Sequence, residues 1–535
     1  MKKILFLFLA LLFIAKAKAN YYLVYFTNKA PHAKVCLSEM SQAMRSRKGV
    51  KLDEKDLAVS TNYCSLIKAT CKTYFGASRW LNAVCIKAEP KQVEQLKKFN
   101  FVAKIEPIKA SKLIPLETAE LAPGALLSSN TQLEMLELDR LHKQGYTGKG
   151  MKIAVFDNGF TKVDVLGPYK HLYRDGRILQ TKNFTDPSRS VYQMGSDGEH
   201  GSRVFSVLAA LMPPNFVGTA YDASYYLAVT EDMTRESELE EWNWLKAAEW
   251  ADSLGTDIIS TSLGYATNFT IGSDHIYEEM DGKTTIISRA ANLAASRGIL
   301  VVNSAGNEGQ NKWRHIIAPA DADSCLAVGA VDAWQNYASF SSTGPSFDGR
   351  IKPDVAAMGG LTITLLPQGW LKTGQGTSFA CPMMSGFAAC IWQLNPSLKN
   401  MELFQLIKKS GNQAQNPDTF LGYGIPSADS LYYWIKGEQL PARVNIANRL
   451  TVYPNPGNGL FEIAWYNYDE TVQTTLEIYD SQGKEIYFQA QTFEANYKTY
   501  PLDLRMLHLR KGLYYLRIKG IDNVILYENK LVICE

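Results

Sequence analysis

Gly376-Thr377-Ser378-Phe379-Ala380-Cys381-Pro382 leads directly into Ser385-Gly386-Phe387-Ala388-Ala389, a run of small and apolar residues. Such a run suits a helix buried among close neighbours, since small side chains are readily accommodated in a core. The glycine ahead of it lets the backbone turn sharply. Pro382 is expected within the helix's first turn, where its missing N–H is no loss. Ser378 then stands at the mouth of a buried helix, open on one side and rigidly held on the other. That placement suits a nucleophile. It also suits a simple helix cap, because serine and threonine are favoured there.

A serine hydroxyl is a poor nucleophile until a base takes its proton, and the base must be oriented by a third group. Ile153-Ala154-Val155-Phe156-Asp157-Asn158-Gly159 reads as an apolar strand ending in an acid and a turn. Asp197-Gly198-Glu199-His200-Gly201-Ser202 precedes the small-residue helical pattern Val204-Phe205-Ser206-Val207-Leu208-Ala209-Ala210. Asp157, His200 and Ser378 thus occur in the order acid, base, nucleophile, unlike the orders used by chymotrypsin-type proteases and α/β-hydrolases. With G-T-S-x-A-x-P around the serine, this constellation resembles the subtilisin-like serine proteases, the subtilases. Ile299-Leu300-Val301-Val302-Asn303-Ser304-Ala305-Gly306-Asn307-Glu308-Gly309 adds a buried strand that runs into the family's A-G-N-E-G turn.

The resemblance implies an endopeptidase working through an acyl-enzyme. Asn307 is the implied side-chain donor to the developing oxyanion, and the backbone N–H of Ser378 is the second donor. Asp257-Ile258-Ile259-Ser260-Thr261-Ser262-Leu263-Gly264 resembles the family strand whose edge accepts an extended substrate. Ser262, Leu263 and Gly264 would form one wall of the primary specificity pocket, and Ser304, Ala305 and Gly306 the other. A rough alignment puts Ile317, just ahead of Ala318-Pro319, near the pocket floor, where it would make the pocket shallower. The chain departs from the family in reading D-N-G at the acid, His-Gly-Ser at the base and Met383-Met384 after Pro382. None of these changes removes a proton-transfer group. A catalytically silent binding protein or adhesin on the same fold is the alternative reading, and the full set of Asp157, His200, Asn307 and Ser378 argues against it. A lipase or esterase would need G-x-S-x-G.

At 535 residues and 46% apolar content the chain can build several domains and a large core. A formal net charge of +3 gives no reason to expect a nucleic-acid partner. Lys2-Lys3, the apolar run from Ile4 to Ala15, and Ala17-Lys18-Ala19 read as a signal peptide over residues 1–19. The apolar run is short of the ~20 residues of a relaxed membrane span. Residues 20–130 carry an α+β pattern: strands at Tyr21–Phe26, Ala83–Lys87 and Phe101–Ile105, and a helix from Lys91 to Phe99. This layout is similar to the subtilase propeptide, with processing expected between Glu106 and Asn130.

Residues 131–435 form the expected catalytic domain and 436–448 a linker. Within the former, Tyr277-Glu278-Glu279-Met280-Asp281-Gly282 is an insertion-like acidic loop, more simply solvated than ligand-binding. The sequons Asn183-Phe184-Thr185 and Asn268-Phe269-Thr270 carry little weight. The family resemblance admits structural calcium, with no ligands assignable and no cofactor needed for the chemistry. No Cys/His spacing suggests zinc. Cys36, Cys64, Cys71 and Cys85 fall in the propeptide-like region, with pairing left open. Cys381 and Cys390 on one helix would stand ~13.5 Å apart, too far to bond.

Residues 449–535 change character. Tyr453-Pro454-Asn455-Pro456, then Ile478-Tyr479-Asp480-Ser481-Gln482-Gly483-Lys484, then Leu509-Arg510-Lys511-Gly512-Leu513-Tyr514 resemble, in order, the C-terminal sorting domain of Bacteroidetes type IX secretion cargo. The expected partners are therefore protein or peptide substrates and that secretion machinery, with the mature protein secreted or displayed on the cell surface. The expected architecture is α/β: a subtilisin-like, mainly parallel sheet flanked by helices, with an N-terminal α+β propeptide and a C-terminal all-β sandwich.

Overall fold

The computed structural model describes residues 20–30, 32–108, 129–213, 215–231, 239–267, 274–440, 450–467, 471–494, 496–520 and 524–534. The signal segment, most of the expected processing stretch, the sequon at Asn268 and most of the expected linker lie outside them. The chain forms two compact units, Met1–Leu440 and Pro441–Glu535.

The N-terminal region contains strand β1 (Asn20–Phe26), helices α1 (Glu39–Arg47) and α2 (Thr61–Thr70), strands β2 (Thr73–Ser78) and β3 (Ala83–Ala88), helix α3 (Pro90–Leu96) and strand β4 (Val102–Pro107). The sheet order is β2-β3-β1-β4, and β1 pairs antiparallel with both neighbours. β1 is apolar without alternation because both of its faces are covered. Val24 and Phe26 pack with Ile67, Val93 and Leu96 of the region's own helices, whereas Leu23 joins Trp80 and Cys85 in a different core with Trp242, Trp244 and Ile287.

That second core belongs to the central domain. After the short helices α4 (Asn130–Met135) and α5 (Leu138–Lys143) come β5 (Lys152–Asp157), α6 (Lys170–Arg174), β6 (Ile178–Asn183), α7 (Glu199–Ala209) and a hairpin of β7 (Leu211–Met212) and β8 (Phe216–Val217). β9 (Ser224–Val229), α8 (Glu240–Leu254), β10 (Ile258–Thr261), α9 (Ile286–Ser296), β11 (Leu300–Ser304), β12 (Cys325–Val331) and β13 (Val355–Met358) follow. A second hairpin, β14 (Thr362–Leu365) and β15 (Leu371–Gly374), precedes the long helix α10 (Thr377–Leu394), then α11 (Asn400–Lys409) and α12 (Ala428–Lys436).

Seven strands make one sheet in the order β13-β12-β11-β10-β5-β9-β6, all parallel. A parallel sheet is buried on both faces, so its inner strands are mainly apolar, whereas the edge strand β6 reads ILQTKN and is partly exposed. In β5, Ile153 and Val155 enter the core containing α7 and α10, while Ala154 and Phe156 enter the one containing α8 and α9. The carboxyl ends of β5, β10 and β11 consequently open at the same edge, which is where sites form in such sheets.

The N-terminal region docks on α8 and α9 with buried charge. Arg45 bridges Asp56 at 2.6 Å and Asp252 at 2.7 Å, and Arg79 also bonds Asp252. Lys48 meets Asp257 at 3.0 Å with its ammonium over the ring of Trp392. Glu249 accepts from the Ser78 hydroxyl and the Trp80 amide. Cys381 and Cys390 lie on the single helix α10, both buried, and are thiols.

In the second unit, β16 (Leu450–Tyr453), β17 (Leu460–Asn467) and β20 (Asn496–Asp503) form one sheet. β18 (Val472–Tyr479), β19 (Glu485–Phe493), β21 (Gly512–Gly520) and β22 (Ile525–Ile533) form another, in the order β19-β18-β21-β22. Residues of both sheets share one core, in which Trp465 stacks on Phe493 at 4.5 Å between centroids. The turn from Asp480 to Gly483 closes the β18–β19 hairpin: the Asp480 carboxylate accepts from the amides of Gln482 and Lys484, and Gly483 takes φ +80°.

Removing one member of a buried ion cluster strands its partners away from water, at a typical cost of about 3–5 kcal/mol. Asp252→Ala leaves Arg45 and Arg79 buried without that carboxylate. We expect a clear fall in the urea midpoint of the intact chain; an unchanged midpoint would show that the docking rests on apolar contact alone.

Candidate active site

β5 delivers Asp157 to the sheet edge, fully buried. Its Oδ1 accepts the amide of Asn158 at 2.8 Å and lies 2.8 Å from Nδ1 of His200. A carboxylate beside Nδ1 places the ring proton there and leaves Nε2 as the basic nitrogen. Oδ2 of Asp157 is buried with no protein hydrogen-bond partner among the described residues. His200 is the second residue of α7. The next residue must be glycine, because a Cβ on Gly201 would fall 2.1 Å from the carbonyl oxygen of Gly159. Asn158, the departure from the family at the acid motif, does more than turn the chain: its Oδ1 accepts the Gly201 amide at 3.1 Å and ties α7 to the acid loop.

α10 presents Ser378 in its first turn, 8% exposed. Gly376 enters this turn at φ +151° and ψ 147°, a region essentially reserved for glycine. Phe379 lies beside His200, with 6.4 Å between the ring centroids. One expectation is corrected. Pro382 sits inside the helix, past its first turn. Proline has no N–H to return to the carbonyl four residues back, so the carbonyl of Ser378 is released from the helix ladder. The hydroxyl of Ser262 donates to it at 2.8 Å, and the Ser378 hydroxyl lies 3.5 Å from the Ser262 carbonyl. Ser262 therefore braces the first turn of α10 as well as standing on the expected substrate strand.

Asn307 reaches the same turn from β11. Its Oδ1 accepts both the amide of Thr377 at 2.8 Å and the Thr377 hydroxyl at 2.9 Å. With the oxygen twice committed, Nδ2 is the donor end of the side chain. The Thr377 hydroxyl in turn accepts the Gly306 amide at 3.3 Å.

The two expected pocket walls are continuous with β10 and β11. Ser262, Leu263 and Gly264 run on beyond the last β10 pairing, at Thr261, and Tyr265 then pairs with Ala318. Ser304 and Ala305 are buried and Gly306 takes φ +109°. Sequence reasoning missed Asn303, whose Nδ2 donates to the carbonyls of Leu263 at 3.0 Å and Ser304 at 2.7 Å. It ties the two expected walls together, and its place two residues before the A-G-N-E-G motif was the only signal. Glu231, just past β9, was also missed. It is fully buried, its carboxylate accepts from the Tyr265 hydroxyl, and burial pushes its pKa up to about 7.

The acidic loop is occupied locally. Glu279 faces Nδ1 of His275 at 2.6 Å, and Asp281 accepts the amides of Lys283 and Thr284. No cluster of three or more His, Cys, Asp or Glu suited to a metal occurs among the described residues. Asn183 is buried and its Oδ1 accepts three local hydrogen bonds, which suits an Asx turn better than a glycan.

Known proteins match along the same divisions. Residues 148–424 match the subtilase family, residues 21–120 the Peptidase S8 propeptide domain of Bacteroidota, and residues 451–534 a secretion system C-terminal sorting domain. Subtilisin E of Bacillus subtilis is 30% identical over 350 residues, covering 65% of this chain and 80% of that protein. Subtilisin of Bacillus pumilus is 30% identical over 308 residues, covering 57% of this chain and 94% of its own length. No described helix is long and apolar enough to cross a membrane. The sorting domain and propeptide mark a secreted or cell-surface protein, with the tail of the type IX kind. By its domain match, its parallel sheet and these relatives, the chain belongs to the subtilase family and is a serine endopeptidase made with a propeptide and a sorting tail.

Proposed function

We propose that Asp157, His200 and Ser378 are the catalytic triad of this endopeptidase, and that Asn307 and the Ser378 amide form its oxyanion hole. The observation that carries the reading is the 2.8 Å contact of His200 Nδ1 with the fully buried carboxylate of Asp157. Nε2 then takes the proton of the Ser378 hydroxyl as its oxygen attacks the scissile carbonyl carbon. Asp157 stabilises the imidazolium without taking a proton itself. The carbonyl π electrons move onto oxygen, which receives hydrogen bonds from Nδ2 of Asn307 and the Ser378 amide. His200 next gives its proton to the leaving amine as the C–N bond breaks, forming the acyl-enzyme. Water, deprotonated by the same Nε2, repeats the cycle and releases the acid.

The substrate backbone joins Ser262–Gly264 as an added strand, with its side chain between that wall and Ser304–Gly306. Support comes from the absence of a ladder neighbour for Ser262–Gly264 among the described residues before Tyr265 meets Ala318. The N-terminal region to about residue 130 is the inhibitor released on maturation, and residues 449–535 are read by the type IX secretion machinery.

A fluorophosphonate probe is expected to label the mature enzyme at Ser378 and leave Ser378→Ala unlabelled; a wild type that stays unlabelled would sink the assignment. Asn307→Ala should lower kcat by about 10²–10³-fold with little change in KM, a magnitude carried over from subtilisin, where one such donor has been removed. Ser262→Ala strands the Ser378 carbonyl in the interior. It should cost about 1–3 kcal/mol of stability by thermal unfolding and lower kcat more than it raises KM.

A further inference from the structure

Ile317 occupies the space between the two pocket walls. A Cβ added to Gly264 on the first wall would meet Ile317 Cδ1 at 2.2 Å and Cγ1 at 2.5 Å. A Cβ on Gly306, on the second wall, would meet the same two atoms at 3.0 and 2.9 Å. One side chain thus lies against both backbones at once, at the two glycines whose missing side chains would otherwise leave room.

The backbone around Ile317 holds it there. Its amide donates to the carbonyl of Ala305 at 3.2 Å, on the second wall. Ala318 exchanges hydrogen bonds with Tyr265, next to the first wall, at 2.9 and 3.2 Å. The Ile317 carbonyl accepts from Ala320 at 2.9 Å. Ile317 is only 8% exposed, so its side chain is packed in place. A β-branched residue is also stiff at χ1, which limits its escape to another rotamer.

Resting on the peptidase reading above, we infer that Ile317 fills the depth of the primary specificity pocket and restricts cleavage to bonds after small residues, namely glycine, alanine and serine. A large aromatic or aliphatic side chain at that position collides with the Ile317 side chain, while a methyl or hydroxymethyl group stops short of it. The preferred cleavage sites are therefore bonds that follow a single small residue in an extended protein segment.

The test compares peptides identical except for alanine, leucine or phenylalanine before the scissile bond, cleaved by enzyme matured from the full chain. Wild type is expected to favour alanine over phenylalanine by about 10- to 100-fold in kcat/KM, the range that a few atoms command in an apolar pocket. Ile317→Gly should raise the phenylalanine value by at least about tenfold and change the alanine value far less. The milder Ile317→Val, which keeps the apolar packing, should move leucine in the same direction. Equal wild-type rates on alanine and phenylalanine peptides would overturn the inference while leaving the triad standing. So would an Ile317→Gly or Ile317→Val enzyme that cleaves the alanine peptide with an unchanged preference. Failure of wild type to cleave any peptide, together with no fluorophosphonate labelling, would overturn the peptidase assignment and this inference with it.

Discussion

The first turn of α10 is held from three directions, and the rest of the site is arranged around that restraint. Gly376 is bonded to Gly359 beyond β13, Thr377 to Asn307 beyond β11, and the Ser378 carbonyl to Ser262 beyond β10. The third tie exists because Pro382 cannot close the helix ladder onto Ser378. A defect that would weaken an ordinary helix thus becomes an attachment point between the helix of Ser378 and the strand expected to bind substrate. Rigid placement of this kind is what a preorganised site requires, since reacting groups gain little if they must be ordered at the moment of reaction.

The parallel sheet makes those ties possible. β5, β10 and β11 are neighbours or next neighbours running the same way, so the segments carrying Asp157, Ser262–Gly264 and Asn307 leave the sheet at one edge. Asn303 then welds the second and third of these together from below. Ile317 enters the same space from the loop before β12 and lies against both Gly264 and Gly306; on the proposed reading it sets how much room is left for a substrate side chain.

The N-terminal region uses a different device. Its sheet is sandwiched between its own helices and α8 and α9, and it inserts Arg45, Arg79 and Lys48 against Asp252 and Asp257. Buried ion pairs contribute little net stability against apolar replacements, yet they are costly to mismatch. A docking surface built this way discriminates against wrong registers. It also couples departure of the region to exposure of two carboxylates and three cations, which regain water when separated.

Much of this was legible in the sequence because the chemistry-bearing residues lie in local motifs. Asp157, His200, Asn307 and Ser378 each sit where an apolar run meets a turn or a small-residue stretch, and the apolar runs themselves reveal strands buried on both faces. Ile317 was legible only by alignment with relatives, and its reach across both walls was not. The bracing role of Ser262, the clamp at Asn303, the use of Asn158 by α7, the buried carboxylate at Glu231 and the position of Pro382 inside α10 were beyond local reading. Apart from Pro382, each depends on a partner far along the chain, from 34 residues between Glu231 and Tyr265 to 116 between Ser262 and Ser378. Local composition determines which elements form and which reactive groups they carry. Which hydrogen bonds those groups make, and how much room they leave, is decided only when distant segments pack, because a hydrogen bond or a steric contact acts over a few ångströms whatever the sequence separation.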